Sequence, residues 1–186
     1  MDLPVLSPNH RRSIRLSGYD YSQAGAYFVT IVTHDRKCLF GRVKDGEMEL
    51  NEAGKMVEQV WLEIIRHFDG VNVDTFVVMP NHIHGIIEII KDNRSSGVGA
   101  THESPLPTQG NGPKPGSIGV IVGLFKATVS KKYHEMTNTQ NTRLWQRNYY
   151  EHVIRDDKDY QVIYDYILTN PLNWERDEEN QAPIPV

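Results

Sequence analysis

His82 and His84 are separated by one residue within Met79-Pro80-Asn81-His82-Ile83-His84-Gly85. The run that follows, through Ile90, is mainly β-branched and apolar. It predicts a β-strand bounded by Pro80 on one side and Lys91-Asp92-Asn93 on the other. On a strand, residues i and i+2 point to one face. The two imidazoles then stand side by side with Ile83 turned away, an arrangement able to chelate one divalent metal ion. Pro80 fixes the chain just before the pair, and Gly85 leaves the backbone beside it uncrowded. Paired neutral imidazoles suit Mn, Zn, Fe, Co or Ni better than Mg. A third ligand bearing oxygen would shift the balance towards Mg or Mn.

The other chemistry-bearing stretch runs from Tyr160 to Trp174 and predicts a helix with Val162, Ile163 and Ile167 on its apolar side. Tyr166 and Asn170 lie i, i+4 on one face, and Tyr160 and Tyr164 on another. A tyrosine can attack a phosphodiester and hold it covalently, provided its phenol, with an ordinary pKa of about 10, is positioned and its charge stabilised. An amide oxygen one turn further along could reach the same metal. For most of the chain's nine tyrosines, core or interface packing is the competing role.

The elements that must position these groups follow from the pattern. Residues 26–33 are β-branched and aromatic and predict a strand. Residues 41–50 read as a hairpin turning at Asp45-Gly46. Asn51 caps a helix to about Phe68, with Met56, Val60, Ile64 and Ile65 on one face, and Asp69-Gly70 ends it. A strand over 71–79 precedes the histidine strand, and the two can only be antiparallel. The largely apolar histidine strand is expected to be central and buried.

Residues 91–116 are rich in Gly, Ser, Pro, Thr and Asn and predict a flexible loop insertion. Ser117 caps a second helix to about Met136, with Ile118, Ile121, Leu124, Phe125 and Val129 on its apolar side. Residues 144–154 are extended around Trp145. Asp156-Asp157 opens the last helix, and Pro171 stops it. The order β, hairpin, α, β, β, α, β, α predicts an α+β fold, its helices packed on one face of the sheet. The expected organisation is a single domain over 1–174, followed by an acidic, proline-containing tail over 175–186.

Composition narrows the setting. At 186 residues the chain fits one domain, and its 39% hydrophobic and 24% charged content is that of a globular protein. A single cysteine, Cys38, excludes an intrachain disulfide or a Cys-rich zinc cluster and fits a reducing cytoplasm. No run approaches the roughly 18 apolar residues of a membrane span, and no signal-peptide core is expected at the N-terminus. The net charge of -4 speaks against a uniformly basic nucleic-acid-binding surface. Local patches decide where a phosphate backbone can lie. Arg11, Arg12 and Arg15 cluster near the N-terminus. Between Ser117 and Arg155, the cations Lys126, Lys131, Lys132, Arg143, Arg147 and Arg155 are set against only Glu135 and Glu151.

Three blocks, in order, carry a resemblance. They are residues 79–85, then Trp145-Gln146-Arg147-Asn148-Tyr149-Tyr150-Glu151-His152-Val153-Ile154-Arg155, then Tyr166-Ile167-Leu168-Thr169-Asn170-Pro171. Over about Tyr27 to Trp174 the chain resembles the single-tyrosine transposases of the HUH nuclease superfamily (the group that includes IS200-like enzymes), and most nearly the REP-associated tyrosine transposases. The resemblance implies a ferredoxin-like α+β domain with a central antiparallel sheet. It implies that His82 and His84 are metal ligands, that Asn170 is the polar ligand one turn after the tyrosine, and that Tyr166 is the nucleophile. It implies Mg or Mn as cofactor and hairpin-bearing single-stranded DNA as partner, cut to a 5′-phosphotyrosine and a free 3′-hydroxyl, by a monomer or a homodimer. Trp145 and Arg147 are expected to contact unstacked bases and phosphates, with core packing the alternative for Trp145, Tyr150 packing or stacking on a base, and Lys126 in the same basic segment. Arg11, Arg12 and Arg15 are expected to hold a hairpin stem through its backbone. A module of the same fold that binds structured nucleic acid without cutting it is the alternative.

Overall fold

The computed structural model describes residues 19–90, 114–139 and 142–180. Six strands and three helices account for most of them. Strand β1 (Gly25–Val32) leads to a hairpin of β2 (Gly41–Lys44) and β3 (Glu47–Leu50) and then to helix α1 (Glu52–Glu63). Strands β4 (Val71–Val78) and β5 (His82–Ile89) follow, then helix α2 (Ile118–Thr137), strand β6 (Tyr150–Ile154) and helix α3 (Asp157–Thr169). Short 3-10 turns over Pro171–Arg176 and Glu178–Asn180 follow α3.

The main sheet has the order β4-β5-β1-β6, with every neighbouring pair antiparallel. Leaving the hairpin and α3 aside, the chain runs β-α-β-β-α-β, and this strand order is that of the expected ferredoxin-like α+β fold. The histidine strand β5 is central, hydrogen-bonded to β4 on one side and β1 on the other. Its residues alternate cleanly: Ile83, Ile87 and Ile89 turn to one face, Ile86 and the two histidines to the other.

The first face carries the main core. Tyr27, Val29 and Ile31 of β1 and the isoleucines of β5 meet Val57, Val60 and Trp61 of α1 and Ile121, Phe125 and Val129 of α2. Trp61, fully buried, stacks edge-on to Phe125 with ring centroids 5.2 Å apart. The expected helical face holds for α1 and α2, while α3 lies on the other side of the sheet. There Ile163 and Ile167 close a smaller cluster over Phe28 and Ile86. That placement puts α3 beside the histidines, which share its side.

Local signals match their sequence cues at two of the three expected caps; Ser117, expected to cap α2, sits at its N-cap position but makes no side-chain capping hydrogen bond. The Asn51 side chain caps α1 by accepting from Gly54 N at 2.9 Å, and the Asp156 side chain caps α3 by accepting from Asp159 N at 2.8 Å. Asp45 and Gly46 both adopt positive φ, as a two-residue hairpin turn of this handedness requires. Some boundaries differ. α1 ends at Glu63 and tightens into a 3-10 turn over Ile64–His67. Only residues 150–154 of the expected extended stretch pair as a strand, with one isolated bridge from Trp145 to Thr33. Leu124, expected on the apolar side of α2, is 39% exposed. No helix among the described residues is long and apolar enough to cross a membrane.

Candidate metal and tyrosine site

The turn entering β5 is held by three backbone hydrogen bonds, one within it and two to neighbours, and this fixes where the histidines begin. Met79 N donates to His82 O at 2.8 Å, Thr33 N to Asn81 O at 2.8 Å, and Phe40 N to Pro80 O at 3.0 Å. The strand then sets His82 opposite Val32 and His84 opposite Thr30. The two imidazole rings lie 4.4 Å apart and are almost wholly buried.

Each imidazole is held by its outer nitrogen. His84 Nδ1 meets Thr30 Oγ1 at 2.9 Å, and His82 Nδ1 meets Asn81 Oδ1 at 2.8 Å. The second contact settles a proton. Asn81 Nδ2 donates to two carbonyls, Arg36 O at 3.1 Å and Glu179 O at 2.7 Å, so its Oδ1 is the atom facing His82. That oxygen can only accept, so His82 carries its hydrogen on Nδ1 and leaves a lone pair on Nε2. Burial lowers the His82 pKa to about 3, with the nearby Asn170 amide acting the other way, and the ring is neutral at pH 7. Burial, and then His82, hold His84 well below its ordinary value too. Two neutral imidazoles with outer nitrogens anchored are the form that binds a metal.

Helix α3 brings the rest. The Tyr166 hydroxyl lies 3.2 Å from His84 Nε2, and its ring packs against Phe28 and His84. Burial, and then the charges of Asp177, Glu178 and Glu179, push its phenol well above the ordinary range. One turn on, Asn170 is 1% exposed. Among the described residues, His82 Nε2 and Asn170 Oδ1 are buried atoms with no hydrogen-bond partner. Two unsatisfied lone pairs beside one another suit a cation as the missing partner. An oxygen donor beside two imidazoles fits Mg or Mn.

Sequence reasoning missed two residues here. His82, His84 and Asp177 each offer a ligand atom, and these atoms lie within 4.8 Å of one another. Asp177 falls in the stretch expected to be an acidic tail, yet it is only 8% exposed and follows a turn in which Trp174 faces His82. Its signal was concealed because Glu175, Asp177, Glu178 and Glu179 form an acidic run, and such a run ordinarily reads as solvated. Asn81 is visible in the motif, but nothing in the spacing assigns it a role.

The expected DNA-binding residues divide. Tyr150 borders the site, edge-on to Phe28 at 6.1 Å. Arg147 is exposed and, with Arg143 and Lys126, lines a shallow hollow of about 330 Å³. Trp145 does not fit its expected role. It is 4% exposed, packs on Phe40 and Phe125 and donates from its indole to Lys126 O, so no base can stack on it. The Lys126 ammonium is likewise spent on the carbonyls of Gln146 at 2.6 Å and Arg147 at 3.2 Å. Arg11, Arg12 and Arg15, and residues 91–113 of the expected loop insertion, lie outside the described residues.

No family model matches the chain. A protein of Haemophilus influenzae described as uncharacterized is 46% identical over 175 residues, covering 91% of this chain and 93% of its own length. A second protein of that organism, named "Putative REP-associated tyrosine transposase", is 27% identical over 157 residues, covering 82% of this chain and 73% of its own. A solved structure of a REP-associated tyrosine transposase bound to a REP hairpin has the same fold. Its TM-score is 0.51 at 20% identity, covering 89% of this chain and 73% of that one. The comparisons agree with the three motif blocks: the chain is similar in sequence to a protein named as a REP-associated tyrosine transposase and shares its fold with a solved member of that group.

Proposed function

We propose that this protein cuts and rejoins single-stranded DNA beside a hairpin, using Tyr166 as the nucleophile. The observation that carries the reading is the convergence of Tyr166, Asn170, His82 and His84 at one buried point between β5 and α3. The relative solved with a REP hairpin supports the choice of substrate.

In the proposed reaction, Tyr166 Oη attacks the phosphorus of a backbone phosphodiester. A phosphorus–Oη bond forms as the bond to the 3′ oxygen breaks. The phenolic proton ends on the departing 3′-hydroxyl, so charge balances and no energy source is consumed. Attack by another 3′-hydroxyl on the 5′-phosphotyrosine reverses the step and joins the strands.

The chain's own groups explain why a cation is required. Tyr166 is half-buried, its phenol is raised, and three carboxylates lie nearby. Of the cations, Arg36 is already paired with Glu179 at 2.9 Å. A phosphate entering here would meet net negative charge. A divalent metal held by His82 Nε2, His84 Nε2 and Asn170 Oδ1 would polarise the phosphate and offset that charge. Phe28 and Tyr150 keep one side of the site apolar, and exposed Arg143 and Arg147 offer phosphate contacts further out.

A hairpin-bearing oligonucleotide incubated with the protein and Mn²⁺ should give a covalent protein–DNA band on a denaturing gel. Tyr166→Phe should abolish it. Cleavage by that variant, or an adduct mapped to Tyr150 or Tyr164, would overturn the assignment. Retention of the hairpin on a native gel with no covalent band would instead favour a non-cleaving binding module.

A further inference from the structure

One residue beside the site has a role that neither the motif nor the ligand set supplies. Asp177 lies beyond α3, in the turn that closes over the histidines. Both of its carboxylate oxygens accept hydrogen bonds: Oδ2 from Asn170 Nδ2 at 2.9 Å, and Oδ1 from Glu179 N at 2.7 Å. Asn170 Oδ1 and His82 Nε2 are the atoms left without partners. The carboxylate is therefore engaged while the amide oxygen is free.

An asparagine amide can present either its oxygen or its NH2 group to a site. At Asn170 the choice is made chemically. An ionised carboxylate only accepts, so it must take the NH2 group, and the oxygen is left facing the histidines. From this geometry we infer that Asp177 is a positioning residue for the metal centre, aiming Asn170 Oδ1 at the His82–His84 pair rather than binding the ion itself.

The same turn performs the matching task on the other side. The Glu179 carbonyl takes one hydrogen of Asn81 Nδ2, which leaves Asn81 Oδ1 to fix the His82 tautomer. One short segment, Asp177 to Glu179, thus orients two amides, and each amide governs one ligand atom. Outer partners of this kind typically contribute 10- to 100-fold to metal affinity.

The inference rests on the metal reading above, and the test separates the two. The full chain is titrated with Mn²⁺ alone and followed by electron paramagnetic resonance. If the unaltered protein binds no Mn²⁺, the metal reading falls and takes this role with it. If it binds, waters on the bound ion are counted by line broadening in ¹⁷O-labelled water. A six-coordinate ion held by two imidazoles and one amide keeps about three waters. About two waters would make Asp177 a ligand and overturn the inference; this count needs no variant.

Asp177→Ala should weaken Mn²⁺ binding 10- to 100-fold. The double change Asn170→Asp with Asp177→Ala should recover most of that loss, because a carboxylate at 170 presents an oxygen in either orientation and needs no aiming. Unchanged affinity in the single variant, or no recovery in the double one, would overturn the role.

Discussion

At His82, a proton position is fixed by the neighbouring Asn81. Asn81 gives both amide hydrogens to carbonyls and its oxygen to His82 Nδ1, so the free lone pair faces the site. This has a consequence for stability. The folded pKa of about 3 lies below the ordinary 6.5, so between those values the unfolded chain binds more protons than the folded one. Stability therefore rises with pH across that window and is fully present above it. In chelator, moving from pH 7 to pH 5 should cost on the order of 2 kcal/mol through His82 alone. Urea unfolding at both values measures it, and His82→Asn should remove that part of the slope; an unaltered slope would show that the buried imidazole is not its source.

Among the elements, β5 and α3 are the pair that matters, and each has a single weak position. Gly85 lies on the core face of β5, where an added Cβ would sit 2.4 Å from Trp61 Cζ2 and 3.1 Å from Phe76 Cβ. Gly85→Ala should destabilise the protein by about 1–3 kcal/mol, read by urea unfolding, because the indole has no room to retreat in a packed core. Asp156 caps the helix that carries Tyr166. Asp156→Ala should cost about 1 kcal/mol and speed amide exchange in α3 more than in β1 or β5. Equal acceleration across the sheet would mean that α3 does not open separately.

These elements were legible in sequence where a local rule forced them. Period-two alternation revealed which side of β5 carries the histidines, and Asn51, Asp156 and Asp45-Gly46 marked their turns and caps. What stayed hidden depends on the third dimension. Trp145, in a run that reads as a DNA-contacting strand, is drawn into the core between Phe40 and Phe125. Asp177 sits in an acidic run, and only its burial beside Asn170 distinguishes it from solvated neighbours. No periodicity reports which side of a sheet a terminal helix takes, so the position of α3 opposite α1 and α2 had to come from packing.

For the molecule as a whole, a resident metal should appear as stability. With free Mn²⁺ at 100 times its dissociation constant, mass action adds about 2.7 kcal/mol, which for a chain of this size raises Tm by roughly 5–10 °C. Differential scanning calorimetry with and without chelator measures the shift, and His82→Ala should erase it. No shift at saturating Mn²⁺ would count against the site. The four-stranded sheet also divides the apolar interior into two separate compartments. Trp61 and Phe125 lie on one side; Ile163, Ile167 and the His82–His84 pair lie on the other. A sequence library built on this scaffold should accordingly split its losses. Changes in the larger compartment would empty the soluble fraction, while changes in the smaller one would leave protein abundant but inert.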